Sequence, residues 1–200
     1  MASPVPADLV RPASPRLARV FDAALVAGFS LLIALSAQVA IPLPFTPVPV
    51  TLQTFAILLT GVLLGSGRGA LAAVAYVAEG SLGLPFFSGG TAGIAHLLGP
   101  TGGYLVGCVA AAFVAGRLVE RGLTVKPAGL LLTLFTADLV VYIPGLAWLA
   151  VFIGANKAFA LGFLPFVVGD ALKIVAAWSL LFAATAKTAA GWSPRDKRKE

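Results

Sequence analysis

Six apolar stretches that read as membrane crossings recur along this 200-residue chain: Phe21 to Ala40, Val50 to Gly65, Ala70 to Leu84, Gly103 to Val119, Ala128 to Leu149 and Leu164 to Ala186. A crossing needs about 20 residues, and only structures that satisfy their own backbone hydrogen bonds can span hydrocarbon. With 59% apolar residues, 11% charged residues and a mean hydropathy of +0.97, the chain reads as an all-α integral membrane bundle of six transmembrane helices. The spans and their connections leave no room for a second globular domain. The expected organisation is therefore a flexible N-terminal tail over 1–20, a membrane domain over 21–187 and a basic tail over 188–200.

The breaks between stretches carry turn chemistry. Pro42, Pro44, Pro47 and Pro49 cannot extend a helix, and Gly65, Gly67 and Gly69 surround Arg68 in a tight link. The third stretch is short and is interrupted by Glu79 and Gly80. Residues 1–18, rich in Ala, Pro and Ser, read as unstructured. The apolar run from Phe21 is longer than the 7–15 residues of a secretory signal core, so it reads as a span.

Lys and Arg collect in cytoplasmic loops. With the N-terminus inside, all of the 14 basic residues except Lys157 and Lys173 fall on the cytoplasmic side. Six crossings with both termini cytoplasmic follow. The net charge of +6 then belongs to loops and tails beside anionic lipid headgroups, and nucleic acid is excluded as a partner.

Charges inside the spans mark the candidate site. Asp170 and Lys173 share one face of the last helix, since residues three apart are neighbours on a helix surface. Charge at membrane depth is costly, so such groups pair, face a cavity or bind something. A rise of 1.5 Å per residue from Leu164 puts them roughly 9 and 13 Å below the outer edge. Asp138 and Tyr142 share a face of the fifth span and are candidates for the same cavity. An ion pair that pins two helices is the alternative for Asp170 and Lys173, and a bond to a neighbouring helix is the alternative for Asp138.

The connections on the outer side are the proline-stiffened segment Ile41 to Gln53, which reads as a lid or plug, and the glycine-rich stretch Gly80 to Tyr104. Glycine there lets backbone approach a ligand closely or packs a re-entrant segment against helices. Cys108 lies in an apolar run and reads as packing. His96, the sole histidine, reads as a packed or hydrogen-bonded loop residue; with no second ligand cluster, no metal is expected.

Three segments carry a resemblance: Val48-Pro49-Val50-Thr51-Leu52-Gln53-Thr54, Gly83-Leu84-Pro85-Phe86-Phe87-Ser88-Gly89-Gly90 and Gly99-Pro100-Thr101-Gly102-Gly103-Tyr104-Leu105. Together with Asp170-Ala171-Leu172-Lys173 they resemble the BioY family, the biotin-specific membrane subunits of energy-coupling factor transporters, over roughly Phe21 to Lys187. The resemblance implies a six-helix bundle with a biotin pocket near the extracellular face, and a biotin-site role for Asp170 and Lys173. Biotin offers two ureido N–H donors, a carbonyl acceptor, an apolar bicycle and a carboxylated tail. Asp170 suits the ureido donors and Lys173 the ureido oxygen. Tyr104, Tyr142, Thr91, Gly90 and Gln53 are candidates for the polar shell, and Phe86, Phe87 and Trp148 for the apolar body. The resemblance further implies a transmembrane coupling (T) subunit and two cytoplasmic ATPase (A) subunits as partners, with Ala23, Ala27 and Gly28 on the first helix as the docking face; the pairs Ser30/Ala34 and Ser36/Ala40 have the same small-residue spacing.

No Gly-x-x-x-x-Gly-Lys-Ser/Thr loop occurs in the sequence, so ATP hydrolysis by a P-loop route is excluded. Neither catalytic residues nor a cofactor are expected, with biotin as the transported ligand. Two other readings stand beside this one. A subunit for another small vitamin or metabolite fits the same pattern. An intramembrane aspartyl protease would use Asp138 and Asp170 as opposed carboxylates, against which Lys173 stands as a pairing partner; a serine hydrolase lacks a histidine near Ser66.

Overall fold

The computed structural model describes residues 5–191 and consists almost wholly of helices. In order these are α1 (Pro6–Leu9), α2 (Pro15–Gln38), α3 (Gln53–Ser81), α4 (Ile94–Leu98), α5 (Gly102–Glu120), α6 (Pro127–Ile153), α7 (Ala155–Gly162) and α8 (Val167–Gly191). Among the described residues, α2, α3, α5 and α6 are each long and apolar enough to cross a membrane, and α7 with α8, bent by 46°, forms a fifth crossing if taken as one broken span.

α3 takes in most of two of the expected stretches, Val50 to Gly65 and Ala70 to Leu84. They are divided at Gly65, whose φ of 83° and ψ of 177° are non-helical. This backbone region is essentially restricted to glycine. Past the break the chain folds back on itself: a Cβ built on Gly69 would sit 3.1 Å from the Cα of Gly61 and 3.3 Å from the carbonyl oxygen of Thr60. In a straight helix those positions would lie roughly 12 Å apart along the axis. Glu120 secures the reversal, accepting from the Ser66 N–H at 2.7 Å and from its hydroxyl at 2.8 Å.

The N-terminal segment departs from the sequence expectation. Residues 1–18 read as unstructured, yet Val5 and Ala7 are buried in a core cluster with Leu58, Val62 and Val119, and α2 begins at Pro15, inside the expected 1–20 tail. Ion pairs hold the segment down: Arg68 bonds Asp22 at 3.0 Å and also Asp8, while Arg11 bonds Asp22. Alanine and proline in the tail mask the few apolar contacts and charges that anchor it. Of the basic tail over 188–200, residues 192–200 lie outside the described residues.

The centre of the bundle is α3 against α5 and α5 against α6. Missing side chains permit this approach. A Cβ on Gly107 would lie 2.4 Å from the Val141 carbonyl oxygen, and one on Gly103 would lie 2.4 Å from that of Pro144. The second half of the glycine-rich stretch thus serves helix packing. At one end of the bundle, Ala40 and Ile41 (β1) pair antiparallel with Thr51 and Val50 (β2), closing the proline segment into a short hairpin. Val48 inside it is buried in one cluster with Tyr142, Leu149 and Phe166, which anchors the hairpin to the bundle.

Candidate functional site

α8 starts at Val167, three residues later than the apolar pattern indicates, because α7 ends at Gly162 and a turn intervenes. Asp170 consequently stands in the first turn of α8, where the partial positive charge of the helix N-terminus favours a carboxylate. It is only 4% exposed. Lys173, one turn on, donates from Nζ to Asp170 Oδ1 at 2.9 Å and to Thr54 Oγ1 at 3.0 Å. The Tyr142 hydroxyl donates to Asp170 Oδ2. Each carboxylate oxygen thereby accepts one bond and keeps a second lone pair, and an ammonium with three donors has one N–H left.

These groups form the floor of a cavity that holds about 610 Å³ of empty space, counting the part open to solvent. Val48, Pro49 and Thr51 of the hairpin cover one side, and Tyr104, Leu105 and Val141 contribute to the walls. Tyr104 is fixed by a 2.8 Å hydrogen bond from its hydroxyl to the Gly162 carbonyl and stands edge-on to Tyr142. Gln53 donates to Cys108 Sγ at 3.4 Å. Cys108 is buried as expected, but it also borders the cavity.

Of the site residues expected from the sequence, Asp170, Lys173, Tyr104, Tyr142 and Gln53 meet around this cavity. Gly90, Thr91 and Phe86 lie outside its lining. Gly90 and Thr91 belong to an exposed turn closed by the Phe87–Thr91 bridge, and Phe86 packs against a buried cluster that includes Ile57, Tyr76 and Phe87. Phe87 is fully buried behind the cavity, and Trp148 donates to the Gly99 carbonyl at 3.0 Å.

Asp138 does not join the cavity. It lines a separate, largely apolar groove between α6 and α8 that touches the far side of Tyr142 and Asp170. Its Oδ1 and the Tyr76 hydroxyl are buried without a hydrogen-bond partner among the described residues. Asp170 is bonded to Lys173 and Tyr142 rather than to Asp138, unlike the paired carboxylates of an aspartyl protease.

Polar lining residues that the sequence reading did not assign to the site include Thr51, Thr54, Ser88, His96 and Thr101. Thr54 lies one residue beyond Gln53, and its role emerges only when α3 packs against α8. His96 Nδ1 is 3.1 Å from Thr91 Oγ1 and Nε2 is 3.2 Å from Thr101 Oγ1, while its ring stacks on Phe87 at 4.8 Å. Burial lowers its pKa from the ordinary 6.5.

Fold and site together define an all-α, multi-pass membrane protein with a charged, hydrogen-bonded cavity inside an apolar bundle. The BioY family model matches residues 11–190. The chain is 44% identical over 156 residues to a probable biotin transporter BioY of Pyrococcus horikoshii, covering 78% of this chain and 91% of that protein. It is 39% identical over 166 residues to the biotin transporter BioY of Rhizobium etli, covering 78% and 88%. A crystal structure of the S-component for biotin from an ECF-type ABC transporter superposes with a TM-score of 0.77 at 27% identity, over 87% of this chain and 95% of that one. The chain belongs to the BioY family.

Proposed function

We propose that this protein is the membrane-embedded, biotin-capturing subunit of an energy-coupling factor transporter in a prokaryotic cell membrane, and that it performs no chemistry on its ligand. The observation that carries the reading is the buried Asp170–Lys173 pair, bonded to Tyr142 and Thr54 and opening into a cavity, in a chain of the BioY family. Asp and Lys side by side offer an acceptor and a donor, which matches the N–H and C=O edge of a ureido ring. Tyr104, Tyr142 and Gln53 add polar groups to the lining, and Leu105, Val141 and Phe166 supply apolar contact.

The topology proposed is six crossings, with the two limbs of α3 counted separately, both termini in the cytoplasm and the cavity opening outward. The reversal at Gly65 supports the count, and the distribution of Lys and Arg supports the orientation. Energy for uptake comes from a transmembrane coupling subunit with two ATPase subunits. Ala23, Ala27 and Gly28 on α2 are exposed, and no atom lies within 4 Å of a Cβ built on Gly28. Ser30 and Ala34, by contrast, are buried. The first set is therefore free to receive a partner helix. Replacing Ala27 with Trp should abolish copurification with the coupling subunit; unchanged copurification would remove the docking face.

Titration calorimetry of the purified chain with biotin tests the central claim. Binding by wild type, weakened in Asp170→Asn and in Lys173→Ala, is the expected result. No binding, or undiminished affinity in both variants, refutes it.

A further inference from the structure

The groove between α6 and α8 lies outside the ligand cavity, and we infer that it holds one acyl chain of an anionic phospholipid whose headgroup meets Lys126 at the groove's mouth. Hydrogen bonds tie the two helices together at either end of it. At one end the Tyr142 hydroxyl donates to Asp170. At the other, Trp178 Nε1 donates to the Pro127 carbonyl at 2.9 Å. The space between amounts to about 1020 Å³, counting the part that opens outward, and its lining runs from Ala128 to Tyr142 on α6 and from Val167 to Val175 on α8.

What the walls expose sets the occupant. Leu131, Leu132, Phe135, Leu139, Val167 and Val175 are each between 38% and 56% exposed, and a concave apolar surface on a membrane bundle calls for an apolar filling. Asp138 is a polar exception on the lining, but at 4% exposure it presents little surface. Length agrees with a lipid tail. Ala128 and Asp138 are ten residues apart on α6, about 15 Å of helix, and a hydrocarbon core of about 30 Å gives each leaflet about 15 Å. A chain that enters beside Ala128 therefore ends near Asp138, with its headgroup far from both aspartates.

Charge selects the headgroup. Lys126 is the N-cap residue of α6, two positions before Ala128, and is exposed. Neither it nor the exposed Arg121, on the same connection, forms an ion pair among the described residues. Glu120, the acid nearest to them in sequence, is engaged by Ser66 and Arg117. The mouth thus carries positive charge that no acid of the chain neutralises, beside a tryptophan of the kind that marks membrane–water interfaces. A headgroup with net negative charge complements that rim, and one basic residue beside it is worth roughly fivefold in affinity.

Native mass spectrometry of the purified chain in detergent, with phosphatidylglycerol and phosphatidylcholine of identical acyl chains, tests the assignment. One phosphatidylglycerol per chain should be retained, roughly fivefold more strongly than phosphatidylcholine. Lys126→Gln should bring the two lipids close to equal. Leu131→Trp and Val175→Trp enlarge side chains that are already exposed, so they fill the groove without disturbing buried packing, and both should weaken retention of either lipid severalfold. Leu35→Trp, on α2 at 60% exposure and outside the groove, should not. Undiminished retention in both groove variants overturns the site, and an unchanged lipid preference in Lys126→Gln overturns the headgroup assignment. A wild-type dimer that Val175→Trp dissociates would give the groove to a second copy of the chain and overturn the lipid. The measurement involves no biotin, so it stands or falls apart from the transport reading.

Discussion

Removing Lys173 and the charge of Asp170 together should harm this protein less than the sum of the two single removals. The two side chains are 11% and 6% exposed and 2.9 Å apart. Lys173→Met leaves the Asp170 carboxylate in the bundle with Tyr142 as its remaining donor and strands the Thr54 hydroxyl. Breaking a buried pair at one side costs about 3–5 kcal/mol, because the surviving charge remains desolvated. In a chain of this size about 1 kcal/mol moves the melting temperature by about 2–4 °C, so Lys173→Met should lower it by roughly 6–20 °C. Asp170→Asn should also destabilise, since an ammonium is then left with Thr54 alone.

In the double variant no uncompensated charge remains, and the carboxamide oxygen that Asp170→Asn introduces still accepts from the Tyr142 hydroxyl. The cycle should therefore show a coupling of about 1–3 kcal/mol, the double variant melting above the sum of the two losses. Thermal unfolding of the four proteins in one detergent measures this, and calorimetry with biotin separates stability from function: the double variant should regain stability without regaining affinity. Strictly additive losses would refute the claim that the two charges stabilise each other. Recovery of affinity in the double variant would refute the claim that they hold the ligand.

Gly65→Ala forces a side chain into a backbone region with φ of 83° and places its Cβ 2.9 Å from Glu120 Oε1; a loss of about 1–3 kcal/mol is expected in thermal unfolding, and none would show that the reversal tolerates any residue. Gly107→Ala, with its Cβ 2.4 Å from the Val141 carbonyl oxygen, should push α5 from α6, cost about 1–3 kcal/mol and weaken biotin binding, since Tyr104 and Tyr142 sit on those two helices. Burial lowers the His96 pKa from 6.5, so the fold favours the neutral ring and the unfolded chain binds more protons; stability should fall as pH drops through about 6.5, and His96→Gln should flatten that part of the melting-temperature profile.

The apolar runs are legible because hydrocarbon leaves a chain few options, and Asp170 with Lys173 stands out because charge is scarce in such runs. Tyr104, Tyr142 and Gln53 are recognisable as polar residues at the right end of spans. What the sequence hides is anything created by contact between elements. Thr54 joins the cavity lining and Lys173 when α3 meets α8, and Val5 becomes core when it reaches Leu58 and Val62. Gly90 and Thr91 belong to the same glycine-rich motif as Ser88, but local turn geometry carries them off the wall. Hydropathy misplaces the start of α8 because Leu164 and Phe166 are as apolar as the helix they precede, which conceals the turn between α7 and α8.

That turn matters for how the site works. Had α8 begun at Leu164, Asp170 would lie nearly two turns inside the helix. Starting at Val167, it stands in the first turn, where the helix N-terminus supports its negative charge and the Tyr142 hydroxyl reaches it from α6. The bend also brings the Gly162 carbonyl to Tyr104 and Phe166 to the cavity lining. A single irregularity thus couples α5, α6 and α8 at the cavity. Gly162 is the position that permits it: a Cβ there would lie 2.5 Å from the Tyr104 hydroxyl oxygen and 2.6 Å from Leu149 Cδ2. The polar floor and its apolar surround are consequently set by the same stretch of backbone.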